Sequence, residues 1–314
     1  MPSLNWDDLD RSVLLALDRI QSQTQRQILL AYTEALKDIR GELARLYDKL
    51  KDPDGKLTYA EMTRYNRLNK LDEQIAGVMQ STYRVVAGEL ERLPEEMYEA
   101  SYFRYGWAFD QNTQVSLVWG RLDMNAVTDI VRNPLDLIAR DALDQTTRAR
   151  IRRAVSQGLL QGKSFPKMAR DIRRAMSNNA YEAMRIARTE GQRAQSAGTY
   201  AAYQRAVDQG VRGDDRWDAT LDQRTRDQHR SMDGRSRQED GLFHLPNGET
   251  ARYPVDPTLS AENAIHCRCR LRFVVDGFEP QLRRTRESGV IPYTTYDDWQ
   301  AGLDSRGKYN PLGD

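Results

Sequence analysis

Between Leu36 and Leu50 the apolar residues fall at Leu36, Ile39, Leu43, Leu46 and Leu50. Alternating steps of three and four place such residues on one face of an α-helix. A second run follows the same rule: Leu68, Leu71, Ile75, Val78, then Val85 or Val86, Leu90 and Leu93. Between the runs, "KDPDGKL" carries the turn residues Pro53 and Gly55. Two seams joined by a short turn predict a long antiparallel helical hairpin, buried against itself or against a partner protein. Pro94 is expected to interrupt or end the second helix. "EASYFRYGWAF" (99 to 109) is dense in aromatics and reads as core or interface.

Helix continues from Pro134. Ile151, Val155 and Leu159 lie four apart, Gly158 and Gly162 loosen the helix end, and Phe165, Met168, Ile172 and Met176 resume the pattern. Residues 179 to 207 form a small-residue-rich stretch whose alanines allow close packing. Charge is unevenly spread. The whole chain has a net charge of only +1, yet 139 to 205 holds 14 Lys and Arg against 5 Asp and Glu, a net of +9. Such a segment suits nucleic acid or an acidic partner. Arg148, Arg152, Arg153, Arg170, Arg173 and Arg174 are the candidates to face phosphate. The plainer reading is a solvated helical surface in which arginine serves as a good helix former.

After Gly210 the periodicity changes. "RWDATL" (216 to 221) and "CRLRFVV" (269 to 275) read as strands. "DQRTRDQHRSMDG" reads as a short helix with Asp222 as cap and Gly234 as stop. Residues 235 to 262, with three prolines, read as loop with short extended pieces. The expected fold is therefore mainly α with a small α+β C-terminal module. Its parts are a helical arm (1–133), a basic helical segment (134–210), the α+β module (211–276) and an extended tail (277–314). The tail's Tyr293, Tyr296 and Trp299 predict that it docks or is partly disordered.

Several functions are disfavoured. No stretch approaches the ~18 apolar residues of a membrane span, so no membrane partner is expected. The first residues have no basic or apolar run, which predicts a soluble protein made in a cytoplasm. "GLLQGKS" (158 to 164) has three residues between its glycines where a phosphate-binding loop has four, and no strand precedes it. "DPDGKLTYAE" (52 to 61) lacks the third acid of a calcium loop and is most simply a turn. No nucleophile triad is visible around His229, His244 or His266.

The only two cysteines, Cys267 and Cys269, stand two apart in "NAIHCRCRLRF". In a straight strand their Cβ atoms would lie about 6.6 Å apart, too far for a relaxed disulfide. Two sulfurs converging on one Zn2+ need only a turn. His229 and Asp233, at i and i+4, would share a helix face. A structural zinc site of His229, Cys267, Cys269 and a fourth group follows, with Asp233, Asp222 or His266 as the fourth. The alternative is two small buried thiols beside a hydrogen-bonded core histidine.

"RIARTE" (185 to 190), "WDATLDQRTRDQH" (217 to 229) with Asp233-Gly234, and "CRCRL" (267 to 271) occur in an order and spacing that resemble the phage Mu F-like family of minor head proteins. The likeness covers about 140 to 275, with weaker support in "TTYDDWQAG" (294 to 302). The matching positions are Arg188, Thr189, Glu190, Trp217, Asp222, Arg224, Thr225, His229, Asp233, Gly234, Cys267, Arg268 and Cys269. His266 stands where that family usually has asparagine, which favours His229 over His266 as a ligand. The resemblance implies a virion protein of the phage head, associated with the portal vertex during procapsid assembly. Portal protein, major capsid or scaffold protein and packaged double-stranded DNA are its expected partners, and the host cytoplasm its place of assembly. It implies no enzymatic activity. The alternative is a metal-dependent hydrolase or nuclease carried in the virion, built on His229, Asp233, Cys267 and Cys269. Glu239, Asp240 or Glu262 would then serve as its base. On a physical reading, Thr189 and Glu190 would end a helix and pair with Arg224 or Arg226, while Asp222 and Arg224 lock a strand-to-helix turn.

Overall fold

The computed structural model describes residues 5–54, 56–113, 117–122, 127, 134–278, 280–285 and 289–303. Its long helices are α1 (Trp6–Leu50), α3 (Arg67–Thr113), α4 (Pro134–Leu160) and α5 (Phe165–Asp208). The short α2 (Tyr59–Thr63) sits in the turn between α1 and α3. The smaller elements follow as β1 (Gly213–Asp218), α6 (Asp227–Arg230), β2 (Phe243–His244), β3 (Thr250–Ala251), α7 (Ala261–Ala264), β4 (Arg270–Val275), β5 (Leu282–Arg284), β6 (Val290–Pro292) and α8 (Tyr296–Ala301). A mainly helical chain with a small α+β part near its C-terminus is what the sequence predicts. The chain divides into two compact units, each assembled from separated stretches.

The helical unit comprises Ser22–Arg92 and Arg132–Ala187. In it α1 buries Ile28, Tyr32, Ala35, Ile39, Leu43 and Tyr47, and α3 buries Leu71, Ile75, Met79, Thr82, Val86 and Leu90. The buried stripe is the predicted seam rotated slightly, with Leu36, Leu46 and Leu50 on its flank, half-buried. Val86 is fully buried while Val85 is 51% exposed, which resolves the choice between them. Residues 27 to 38 of α1 and 77 to 85 of α3 line the two sides of one groove. In the turn, Asp52 accepts from the Lys56 amide (2.7 Å), and Lys56 bridges Ser164. Tyr47 donates to the Lys163 carbonyl (2.7 Å) and meets Phe165 edge-on. Those bonds fasten the α1–α3 turn to the α4–α5 turn. There, a Cβ on Gly158 would lie 2.7 Å from Met168.

The second unit comprises Met1–Gln21, Leu93–Val131 and Arg188–Asp314. Here the structure corrects one expectation: α3 continues through Pro94 without ending. Proline removes one N–H and crowds the preceding turn, but Leu93, Pro94, Met97 and Tyr98 are all buried. Packing on both sides of the proline holds the helix, as tertiary contacts usually override local propensity. α5 packs closely on α3 through small residues. A Cβ on Gly198 would lie 2.4 Å from the Tyr98 carbonyl oxygen. Beside it Ser101 Oγ donates to the Gln195 carbonyl (3.0 Å) and lies 2.8 Å from Thr199 Oγ1.

In the aromatic stretch around 99 to 109, Tyr102, Tyr105 and Phe109 are core, while Phe103 and Trp107 are exposed. Phe109 lies 4.9 Å from Trp6, 5.5 Å from Tyr203 and 5.4 Å from Phe273, centroid to centroid. β1 and β4 form an antiparallel pair with Gly213 opposite Val275 and Asp218 opposite Arg270. A dense ionic cluster surrounds that pair. Asp7 accepts from Arg272 and from the Gln281 amide (2.6 Å), and Asp10 from Arg270 (2.6 Å) and Tyr105 (2.8 Å). Asp218 accepts from Arg270 and Arg283, each at 2.7 Å. The tail docks through residue 303: Tyr296 and Trp299 bury against Leu221 and Ile291, and Tyr296 donates to the Asp222 carbonyl (2.8 Å). Its remainder lies outside the described residues. Among those described, no helix is long and apolar enough to cross a membrane.

Candidate metal centre

One turn of helix, α6, turns His229 inward, where its ring meets the edge of Trp217 at 5.6 Å. The chain then makes the β2–β3 hairpin and α7 before His266, at φ +60°, redirects it. Cys267 and Cys269 follow, ahead of β4, so neither is held in straight strand geometry. Both sulfurs lie 3.4 Å from Nδ1 of His229, and all three donor atoms fall within 4.8 Å of one another. His229, Cys267 and Cys269 are all buried.

Those distances suit a tetrahedral cation. Zn–S bonds of ~2.3 Å and Zn–N bonds of ~2.0–2.1 Å imply S···N separations of about 3.6 Å. The two thiols are electrostatically coupled. As a thiolate, Cys267 accepts a hydrogen bond from Cys269, with Arg226 and Arg268 nearby, so its pKa is lowered despite burial. Cys269, the donor in that bond and fully buried, is raised well above the usual thiol range. A cation bound by both sulfurs would have to displace the Cys269 proton, so binding would release protons.

None of the three groups expected as a fourth ligand joins the cluster. Asp233 does not share a helix face with His229, because α6 ends at Arg230. Its carboxylate instead takes Arg283 (2.5 and 2.9 Å), the Ala219 amide (2.9 Å) and the Tyr296 amide (2.8 Å). Asp222 is bound by Arg268 and by the Arg224 amide (2.8 Å). It closes a local turn and does not cap α6, whose N-cap is Arg226. His266 is exposed. Glu190 does not end a helix, since α5 continues to Asp208, and it forms a buried ion pair with Arg193 (2.9 Å). Arg226 donates to the Ile265 carbonyl (2.5 Å).

Two residues that sequence reasoning missed complete the surroundings. Asn263 Oδ1 lies 3.1 Å from Nε2 of His229. Asn263 Nδ2 in turn lies 3.1 Å from Glu249 Oε1 and 3.4 Å from Gln228 Oε1. The only sequence signal for Asn263 is its place four residues ahead of the thiol pair. Nothing in the sequence connects Glu249 to it. Glu239, Asp240 and Glu262, the candidate bases of a catalytic reading, are exposed and stand outside the His–Cys–Cys group.

The candidate phosphate-facing arginines all belong to the helical unit. Arg152, Arg153, Arg170, Arg173 and Arg174 are exposed on α4 and α5, and Arg148 is half-buried. Arg152 lies 3.5 Å from Asp72.

The family described as "Phage Mu protein F like protein" matches residues 149–272. The chain is 30% identical over 304 residues to "Minor head protein GP7" of Bacillus phage SPP1, covering 94% of this chain and 96% of that protein. It is 27% identical over 308 residues to "NAD(+)--arginine ADP-ribosyltransferase EFV" of Enterococcus faecalis (strain ATCC 700802 / V583). That match covers 95% of this chain but only 61% of the other protein. No solved structure matches the chain.

Proposed function

The chain belongs to the phage Mu protein F like family of minor head proteins, and from that membership we propose that it is a structural protein of the portal vertex. It joins the procapsid in the host cytoplasm through contacts with the portal protein and with the scaffold or major capsid protein. It stays in the virion head, where the exposed arginines of α4 and α5 face packaged double-stranded DNA. The supporting observation is the match to a minor head protein over nearly the whole length of both chains.

The His229–Cys267–Cys269 group serves in this reading as a structural Zn2+ site that ties α6 to the start of β4. Its three donors are buried and leave a fourth position unfilled, but no carboxylate stands among them to act as the proton acceptor that catalytic zinc also needs. The hydrolase alternative therefore loses Asp233 as a ligand, and Glu239, Asp240 and Glu262 stand outside the donor group. The match to the Enterococcus faecalis relative leaves more than a third of that protein uncovered, so its named activity does not extend to this chain.

Mixing the purified full chain with portal protein and sedimenting the complex tests the placement. Co-sedimentation is expected, and its absence would overturn the portal assignment. Metal analysis is expected to find one zinc per chain, and a metal-free protein would reduce the cluster to buried thiols. DNA binding should weaken steeply between ~50 and ~200 mM salt if the arginines contact phosphate.

A further inference from the structure

Two hydrogen bonds behind His229 fix which of its nitrogens carries the proton. Glu249 collects four donors: Asn247 Nδ2 (2.7 Å), the Ser260 amide (2.9 Å), Ser260 Oγ (2.8 Å) and Asn263 Nδ2 (3.1 Å). A carboxylate surrounded in this way only accepts. The Asn263 atom that faces it must therefore be the amide nitrogen. Gln228 Oε1, the other neighbour of that nitrogen, is also an acceptor. The Asn263 oxygen is left for Nε2 of His229, and an oxygen acceptor requires Nε2 to bear hydrogen. In neutral imidazole, Nδ1 is then an unprotonated lone pair. It is Nδ1 that lies 3.4 Å from each sulfur.

We propose that Glu249, acting through Asn263, locks His229 in the Nε2–H tautomer and so presents a bare Nδ1 to a soft divalent cation between the two sulfurs. Glu249 and Asn263 are positioning residues: neither touches the cation. The arrangement follows the rule that a metal-binding histidine donates its second N–H to a fixed acceptor. It also joins three otherwise separate pieces, the β2–β3 hairpin, α7 and α6, behind one ligand. The proposal rests on the zinc reading for its purpose, but the tautomer itself is a property of the metal-free protein.

The test reverses the polarity of the anchor. Lysine at position 249 has donors only, so Glu249→Lys would turn the Asn263 amide, set its nitrogen against Nε2 and move the proton to Nδ1. Full-length protein labelled with 15N at its histidines has three residues to assign: His229, His244 and His266. Metal-free wild type is expected to show His229 with Nε2 protonated, and Glu249→Lys with Nδ1 protonated. Chelator competition should then show zinc affinity at least ~10-fold weaker in Glu249→Lys, within the ~10–100-fold range of outer-sphere changes. Glu249→Ala, which removes the anchor without adding a donor, should give mixed tautomers and an intermediate affinity, and it decides the matter if Glu249→Lys does not fold. An Nδ1–H tautomer in wild type, or an unchanged tautomer and affinity in both variants, would overturn the proposal. If wild type shows the expected tautomer but takes up no zinc, the structural zinc site falls and the lock stands.

Discussion

The two compact units are held together by different physics. The helical unit relies on aliphatic and aromatic side chains repeated along α1 and α3, from Ile28 to Tyr47 and from Leu71 to Leu90. Each contributes through burial, and no single one is indispensable. The other unit relies on pairs. Arg272 meets Asp7, Arg270 meets Asp10 and Asp218, and Arg283 meets Asp218 and Asp233, all largely removed from water. A buried ion pair adds little net stability over an apolar pair of the same size, but losing one partner is severe. The first unit should therefore degrade gradually under substitution and the second abruptly.

Arg283→Met is the strongest way to break that contrast. The guanidinium is 2% exposed and also donates to the carbonyls of Ala219 (2.5 Å) and Thr294 (2.7 Å). Its removal leaves Asp218 and Asp233 without their main counter-charge, at an expected loss of about 3–5 kcal/mol. All five tryptophans, Trp6, Trp107, Trp119, Trp217 and Trp299, lie in this unit. Urea unfolding followed by tryptophan fluorescence should therefore shift strongly. A shift below ~1 kcal/mol would show that water or neighbouring arginines take over, and that the ionic cluster is a solvated surface in practice.

The same contrast explains what the sequence made legible. The seams were readable because a helix repeats its core-facing position every three or four residues, so a run of leucines states its own geometry. The strands β1 and β4 and the Cys–His grouping were also readable, the latter because few residue types bind metal. Pro94 misled because local propensity ignores the buried side chains on either side of it. Asp233 misled because the i, i+4 rule holds only inside a helix, and α6 is a single turn. Asp7 and Asp10 were invisible as core residues: their partners, Arg272 and Arg270, stand about 260 positions away. Glu249 and Asn263 were invisible for the same reason. A polar pair has no period, and only the folded loop shows which donor meets which acceptor.

Acid sharpens the comparison with a smaller effect. Burial alone would raise Asp218, but Arg283, Arg270 and Arg272 overcome that and bring it to about 2. Its folded value lies below its unfolded value near 3.8. The stability it contributes is therefore complete above ~pH 5 and is lost as pH falls from about 4 towards 2. At ~1.36 kcal/mol per pKa unit this is about 2 kcal/mol. Fluorescence-monitored unfolding should weaken over that window more than unfolding followed by helical circular dichroism, because an aliphatic seam has no charge to lose. Parallel loss of both signals would mean that the two units unfold together and that the contrast is local only.

The finest test lies inside the helical unit, at two adjacent valines. Val86 is fully buried and Val85 is 51% exposed. Val86→Ala removes buried methyl groups and leaves a small void, for an expected loss of about 2 kcal/mol. Val85→Ala removes exposed surface and introduces a better helix former, so its effect should stay within ~0.5 kcal/mol and can be stabilising. Both variants are read by helical circular dichroism in urea, since the helical unit contains no tryptophan. The difference between them matters more than either value. One residue is a turn of about 100° on a helix, so equal losses would place the seam between the two valines. The α3 stripe from Leu71 to Leu90 would then face its neighbour at a different angle from the one its burial shows.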